Sequence, residues 1–135
     1  MPTTGAPSPA PHARARILVV DDDPMITQLV TDMLSLDGYR VETVSNGVAA
    51  LEKVQGRPYD LILTDLHMPE LDGAALYREL TRRQAHPPGR IIFLTGTAGE
   101  SEAHRLVQET GLPVLRKPFN VVDLLELVQK TLGSP

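Results

Sequence analysis

Acidic residues follow two apolar runs in this chain: Ile17-Leu18-Val19-Val20 leads into Asp21-Asp22-Asp23, and Leu61-Ile62-Leu63-Thr64 leads into Asp65. Two further runs end in complementary groups, Ile91-Ile92-Phe93-Leu94 in the Thr95 hydroxyl and Val114-Leu115-Arg116 in the Lys117 ammonium. Carboxylates crowded at one place repel and tend to take up protons unless a cation neutralises them. A hard divalent ion with oxygen ligands, Mg²⁺, answers that need. It would also lower the cost of bringing an anionic phosphoryl group to an anionic Asp nucleophile. With Lys117 pairing with one phosphoryl oxygen and Thr95 donating a hydrogen bond to another, the set supports an aspartyl phosphate.

That chemistry requires the four run-ends to meet. Buried parallel strands read as continuous apolar runs, and in a doubly wound sheet their carboxyl ends share one edge. The intervening segments are helical. Asp23 can cap a helix with Pro24 at its first position, and Ile26, Leu29, Val30, Met33 and Leu34 form an apolar stripe before Gly38 stops it. Tyr39 to Val44 alternates with charged Arg40 and Glu42, the pattern of a half-exposed edge strand. Gly47 to Gln55 reads as a second helix closed by Gly56 and Pro58. Met68 to Gly73 is a loop, with Asp72 placed to cap a helix through about Gln84, and His86-Pro87-Pro88-Gly89 breaks the chain. Gly96-Thr97-Ala98-Gly99 connects to a helix from about Glu100 to Thr110. The last helix starts near Asn120 and carries Val121, Leu124, Leu125, Val128 and Leu132 at helical spacing. Five βα units predict an α/β fold, a doubly wound five-stranded parallel sheet with helices on both faces.

At 135 residues the chain suits one folded domain. Residues 1–15, rich in Pro and Ala, read as a disordered tail or linker, and 16–135 as the domain. The absence of Cys removes disulfides, thiolate zinc sites and Cys nucleophiles, and points to a reducing cytoplasm. A net charge of -4 offers no basic footprint, so neither nucleic acid nor a membrane is expected as a partner. No apolar stretch approaches the ~20 residues of a membrane span.

The motifs Ile17-Leu18-Val19-Val20-Asp21-Asp22-Asp23-Pro24, Asp60 to Pro69 with Asp72-Gly73, Phe93-Leu94-Thr95-Gly96 and Lys117-Pro118-Phe119 resemble the successive signatures of response-regulator receiver domains. The resemblance covers about Arg16 to Leu132. It implies the flavodoxin-like strand order 2-1-3-4-5 and makes Asp65 the acceptor of phosphate from a sensor kinase's phosphohistidine. It places Asp21 and Asp22 at the acidic metal pair, Asp22 as the direct ligand and Asp21 often acting through water. The main-chain carbonyl of His67 would be another Mg²⁺ ligand, beside the carboxylate of Asp65, while Thr95 and Lys117 keep their phosphate-sensing roles. Because such domains use the turn after the lysine to aim it, Lys117-Pro118 is expected to be cis. The partners implied are a sensor or hybrid histidine kinase and a downstream output protein or domain. One departure matters: chemotaxis-type receivers carry an aromatic residue three positions before the lysine, and here it is Val114. The segments 111–119 and 76–80 are similar to receivers that terminate hybrid histidine kinases, although a free-standing regulator is equally compatible.

Other readings compete. Asp21 and Asp23 also satisfy the Asp-x-Asp opening that resembles haloacid-dehalogenase-type phosphatases, with Asp21 as nucleophile and Asp23 as acid and base, but that leaves Asp65 unexplained. A pseudo-receiver, folded and never phosphorylated, is the third class. Asp23 reads as a helix cap rather than a metal ligand. The His67 side chain is expected to be exposed beside the site, and His12, His86 and His104 to be solvated. Gly96 and Gly99 form neither a P-loop nor a dinucleotide fingerprint.

Overall fold

Strands and helices alternate along the chain in a computed structural model that describes residues 15–68, 70–87, 89–96 and 100–133. The expected tail therefore lies, but for Ala15, outside the described residues, as do 97–99 of the connection after the fourth strand. The strands are β1 (Arg16–Val20), β2 (Arg40–Val44), β3 (Leu61–Asp65), β4 (Ile91–Thr95) and β5 (Val114–Arg116). The helices are α1 (Pro24–Leu36), α2 (Gly47–Gly56), α3 (Gly73–Arg83), α4 (Glu100–Thr110) and α5 (Val121–Gly133). All strand pairs are parallel, and the order across the sheet is β2-β1-β3-β4-β5.

Alternation along each strand sends side chains to two separate cores. Ile17, Val19, Leu61, Leu63, Ile92 and Leu94 face α1 and α5, where they meet Val30, Leu34, Leu124 and Val128. Leu18, Val20, Ile62, Ile91 and Phe93 face α2, α3 and α4, where they meet Ala50, Val54, Leu76, Leu80 and Leu106. Burial on both faces is why the central runs are continuously apolar. Strand β2 lies at one edge, as expected, but its exposure does not alternate: Arg40 and Thr43 are exposed, and Glu42 is half-buried among the cations that pair with it.

The helix ends follow the expected capping chemistry. Asp23 Oδ1 accepts from Met25 N at 2.9 Å with Pro24 in the first turn, and Asp72 Oδ1 accepts from Ala75 N at 2.9 Å. Asn46 Oδ1 caps α2 through Ala49 N at 2.8 Å, and Asn120 Oδ1 caps α5 through Asp123 N at 2.8 Å. Away from these ends, Glu42 gathers cations at the β2 edge: Arg57 at 3.1 Å, Lys53 at 3.5 Å and Arg16 at 3.6 Å. Tyr59 donates to the same carboxylate at 2.7 Å, which holds Glu42 below the usual carboxylate range. Burial, then the Glu42 hydrogen bond, pushes the Tyr59 hydroxyl up to about 12.

One expectation is corrected. His86 is not solvated but buried, its Nε2 lying 2.7 Å from the Arg90 main-chain carbonyl oxygen. That contact bridges the turn between α3 and β4, and because the carbonyl only accepts, Nε2 carries the proton. His104 is exposed as expected, and His12 lies outside the described residues. Burial pushes the His86 pKa below its ordinary value, outweighing the hydrogen bond that favours the charged form. In the unfolded chain His86 protonates near its reference value of about 6.5, whereas the folded chain resists that proton. Stability should therefore fall as pH drops below about 6.5, and His86→Gln should flatten that slope in urea unfolding between about pH 7 and pH 5.

Candidate functional site

The site forms where the sheet order reverses. From β1 the chain crosses to β2 on one side and later returns to β3 on the other, which opens a crevice beyond the carboxyl ends of β1 and β3. Val20 pairs with Thr64, so Asp21 and Asp65, each one residue further on, emerge side by side. Next to β3, Asp65 pairs with Leu94, which brings Thr95 to the same edge. Thr95 pairs with Arg116, and Lys117 N donates to the Thr95 carbonyl at 2.7 Å, extending that ladder by one residue. The Lys117-Pro118 bond is cis, as expected.

The side chains converge accordingly. Lys117 Nζ donates to Asp21 Oδ2 at 2.8 Å and to Asp65 Oδ2 at 3.3 Å. The second oxygen of Asp21 accepts from Asp23 N at 2.9 Å, and that of Asp65 from His67 N at 3.3 Å. Asp21, Asp65 and Thr95 are buried, whereas Asp22 and the His67 side chain are exposed. Carboxylate oxygens of Asp21, Asp22 and Asp65 all lie within 4.8 Å of one another. Burial raises the Asp65 pKa, the Asp21 charge adds to that, and Lys117 and the His67 N–H oppose it. Burial works against the Lys117 charge, but its hydrogen bond to Asp21 and the charges of both aspartates hold its pKa above the ordinary value.

Three carboxylates facing one ammonium leave excess negative charge in a largely buried crevice, and every donor atom is oxygen. That donor set fits a hard divalent cation and has no imidazole or thiolate to favour a softer one. Thr95 Oγ1 donates to the Gly96 carbonyl at 3.1 Å, long for a hydroxyl donor and therefore readily exchanged for a better acceptor. Val114, in place of an aromatic residue, is half-buried opposite Phe93, whose ring meets Tyr77 edge-on at 6.1 Å.

The structure thus brings together Asp21, Asp22, Asp65, His67, Thr95 and Lys117. It assigns Asp23 to the cap of α1, which leaves the phosphatase reading without its acid and base. Sequence reasoning missed what supports the loop after Asp65. A Cβ on Gly73 would lie 2.5 Å from the Asp65 carbonyl oxygen, so α3 starts directly against the Asp65 backbone only because residue 73 has no side chain.

A doubly wound domain of this strand order, with an acidic crevice and a lysine at its switch point, falls in the flavodoxin-like class of α/β proteins. Residues 17–129 match the family model for the response regulator receiver domain, and the chain belongs to that family, the receiving modules of two-component signalling. It is 37% identical over 122 residues to the response regulator receiver protein CpdR of Brucella abortus, covering 87% of this chain and 96% of that protein. It is 34% identical over 120 residues to the sensor kinase CckA of the same organism, covering 87% of this chain but only 12% of CckA. Among solved structures, the receiver domain of sensor histidine kinase PA1611 from Pseudomonas aeruginosa superposes with a TM-score of 0.76 at 34% identity, covering 90% of this chain and 99% of that one. That structure has a magnesium ion coordinated in its active site cleft.

Neutralising one of the crowded carboxylates should relieve the crevice. In metal-free buffer at neutral pH, Asp65→Asn should raise the melting temperature by about 3 °C, measured by circular dichroism, because Lys117 keeps Asp21 as its partner while the repulsion is lost.

Proposed function

We propose that this domain is a phosphoacceptor switch that takes a phosphoryl group from the phosphohistidine of a sensor or hybrid histidine kinase onto Asp65. The observation that carries the reading is the Lys117 ammonium bridging Asp21 and Asp65 beneath a crevice rimmed by Asp22. Asp21, Asp22, Asp65 and the His67 carbonyl would hold Mg²⁺. When bound, the ion shields the incoming phosphoryl charge from the carboxylates.

Among the described residues each oxygen of Asp65 accepts one hydrogen bond, at 3.3 Å, so its lone pairs are weakly engaged. One of them attacks phosphorus in line with the scissile P–N bond, whose electron pair returns to the imidazole as the new P–O bond forms. Lys117 then exchanges its contact with Asp65 for a phosphoryl oxygen, and it stays anchored by the shorter bond to Asp21. Thr95 gives up the Gly96 carbonyl and donates to a second phosphoryl oxygen, which ties the chain entering α4 to the phosphorylation state. The activity is confined to the domain's own phosphate and is not turnover of a metabolite.

Exposed apolar groups lie on the helices that follow Asp23 and Lys117, Met25 at 79% and Leu29 at 42% on α1 and Val122 at 59% on α5, and these suit docking of the donor protein. A downstream protein or domain would read the altered α4 end. No described helix is long and apolar enough to cross a membrane. We place the domain in the cytoplasm, where histidine kinases phosphorylate their partners.

Incubation with a small phosphodonor or beryllofluoride, followed by mapping of the modified residue, tests the reading. Modification should fall on Asp65, require Mg²⁺ and vanish in Asp65→Asn. Labelling of Asp21 with Asp65→Asn still active would restore the phosphatase, and no labelling of the intact chain would leave a pseudo-receiver. The metal roles separate in a titration: Asp22→Ala should weaken Mg²⁺ binding by about tenfold or more, and Asp23→Ala should leave it nearly unchanged while costing about 1 kcal/mol of stability as a lost cap.

A further inference from the structure

We propose that Gly47 is a positioning residue for the loop that follows Asp65, and that it sets Mg²⁺ affinity from outside the crevice. The inference rests on the reading of that crevice as an Mg²⁺ site. Gly47 opens α2, and its Cα faces Leu71 with no space for a side chain. A Cβ there would lie 2.3 Å from the Leu71 carbonyl oxygen and 2.8 Å from the Leu71 Cβ. Both distances are far inside contact, and the nearest atom belongs to the backbone, so no rotamer change relieves the clash.

Either α2 or the loop must then yield, and α2 is the firmer of the two. Asn46 caps it, with Ala49 N on Oδ1 at 2.8 Å, and Ala50, Leu51 and Val54 anchor it in the core. By contrast, the loop contains Glu70 at φ 68°, a left-handed conformation that a residue with a side chain adopts only when its surroundings impose it. Leu71 is the next residue, so the contact with Gly47 is positioned to impose it.

The far end of the loop cannot absorb the displacement. Gly73 N is bonded to the Leu66 carbonyl at 3.1 Å, and a Cβ on Gly73 would itself strike the Asp65 carbonyl. A push on Leu71 is therefore taken up between Leu66 and Asp72, the stretch that carries the His67 carbonyl. Helix propensity alone argues the opposite sign, because alanine favours a helix more than glycine does. That opposition makes the substitution diagnostic.

The test is an Mg²⁺ titration of the full chain, followed by amide chemical shifts, for wild type, Gly47→Ala and Gly56→Ala. Gly56 lies in the same helix with open space around its Cβ position and serves as the control. Wild type and Gly56→Ala should bind alike, and Gly47→Ala should bind about tenfold more weakly while still unfolding cooperatively on heating. Should Gly47→Ala fail to fold, Leu71→Gly removes the Cβ that faces Gly47, probes the contact from the loop side and should also weaken binding. A folded Gly47→Ala with wild-type affinity overturns the proposal alone, as does unchanged affinity in Leu71→Gly where Gly47→Ala does not fold. Absence of Mg²⁺ binding by wild type would overturn the site reading and this proposal with it.

Discussion

Two carboxylates held side by side in a buried crevice repel, and the fold tolerates Asp21 beside Asp65 because one ammonium lies between them. The pairing of β1 with β3 forces the carboxylates together, while Lys117 arrives from β5, at the far edge of the sheet, to offset their charge. The compensation is incomplete, since Asp22 adds a third charge at the rim. A site that is two positive charges short attracts a cation, and one whose lysine already bridges two acceptors can pass it to a third with little reorganisation. The sheet order, the extension of the β4–β5 ladder to Lys117 and the short helix caps all serve this electrostatic arrangement.

The elements on which that arrangement depends were legible in the sequence because their signals are local. Continuous apolar runs identify strands buried on both faces, and Asp23-Pro24 and Asp72-Gly73 mark where helices begin. The reversal of strand order came from family resemblance, since periodicity within a run carries no information about which run lies beside it. Helix ends followed the capping residues closely, although the turn after α3 is made by Gln84 in a left-handed conformation, a position where glycine would have been the clearer signal.

Two features were not legible. His86 stands in a Pro- and Gly-rich stretch that reads as a surface loop, yet the ring folds inward to satisfy a main-chain carbonyl four residues on. The composition of a loop says that the chain turns, and nothing about which side chain the turn encloses. The dependence of the 66–72 loop on Gly47 was likewise invisible, because a glycine at the start of a helix has an unremarkable local explanation and the contact is with a residue 24 positions away. Such long-range contacts arise only once the helices are laid on the sheet.

The two cores share strands but no buried side chains, with α1 and α5 on one face and α2, α3 and α4 on the other. Substitutions in one layer are consequently insulated from packing in the other, and their energies should combine without strong coupling. For protein engineering, the sheet is a natural seam: helices from one relative can be grafted onto one face and helices from another onto the opposite face. What such a chimaera must keep intact is the row of residues at the strand ends, which neither layer owns.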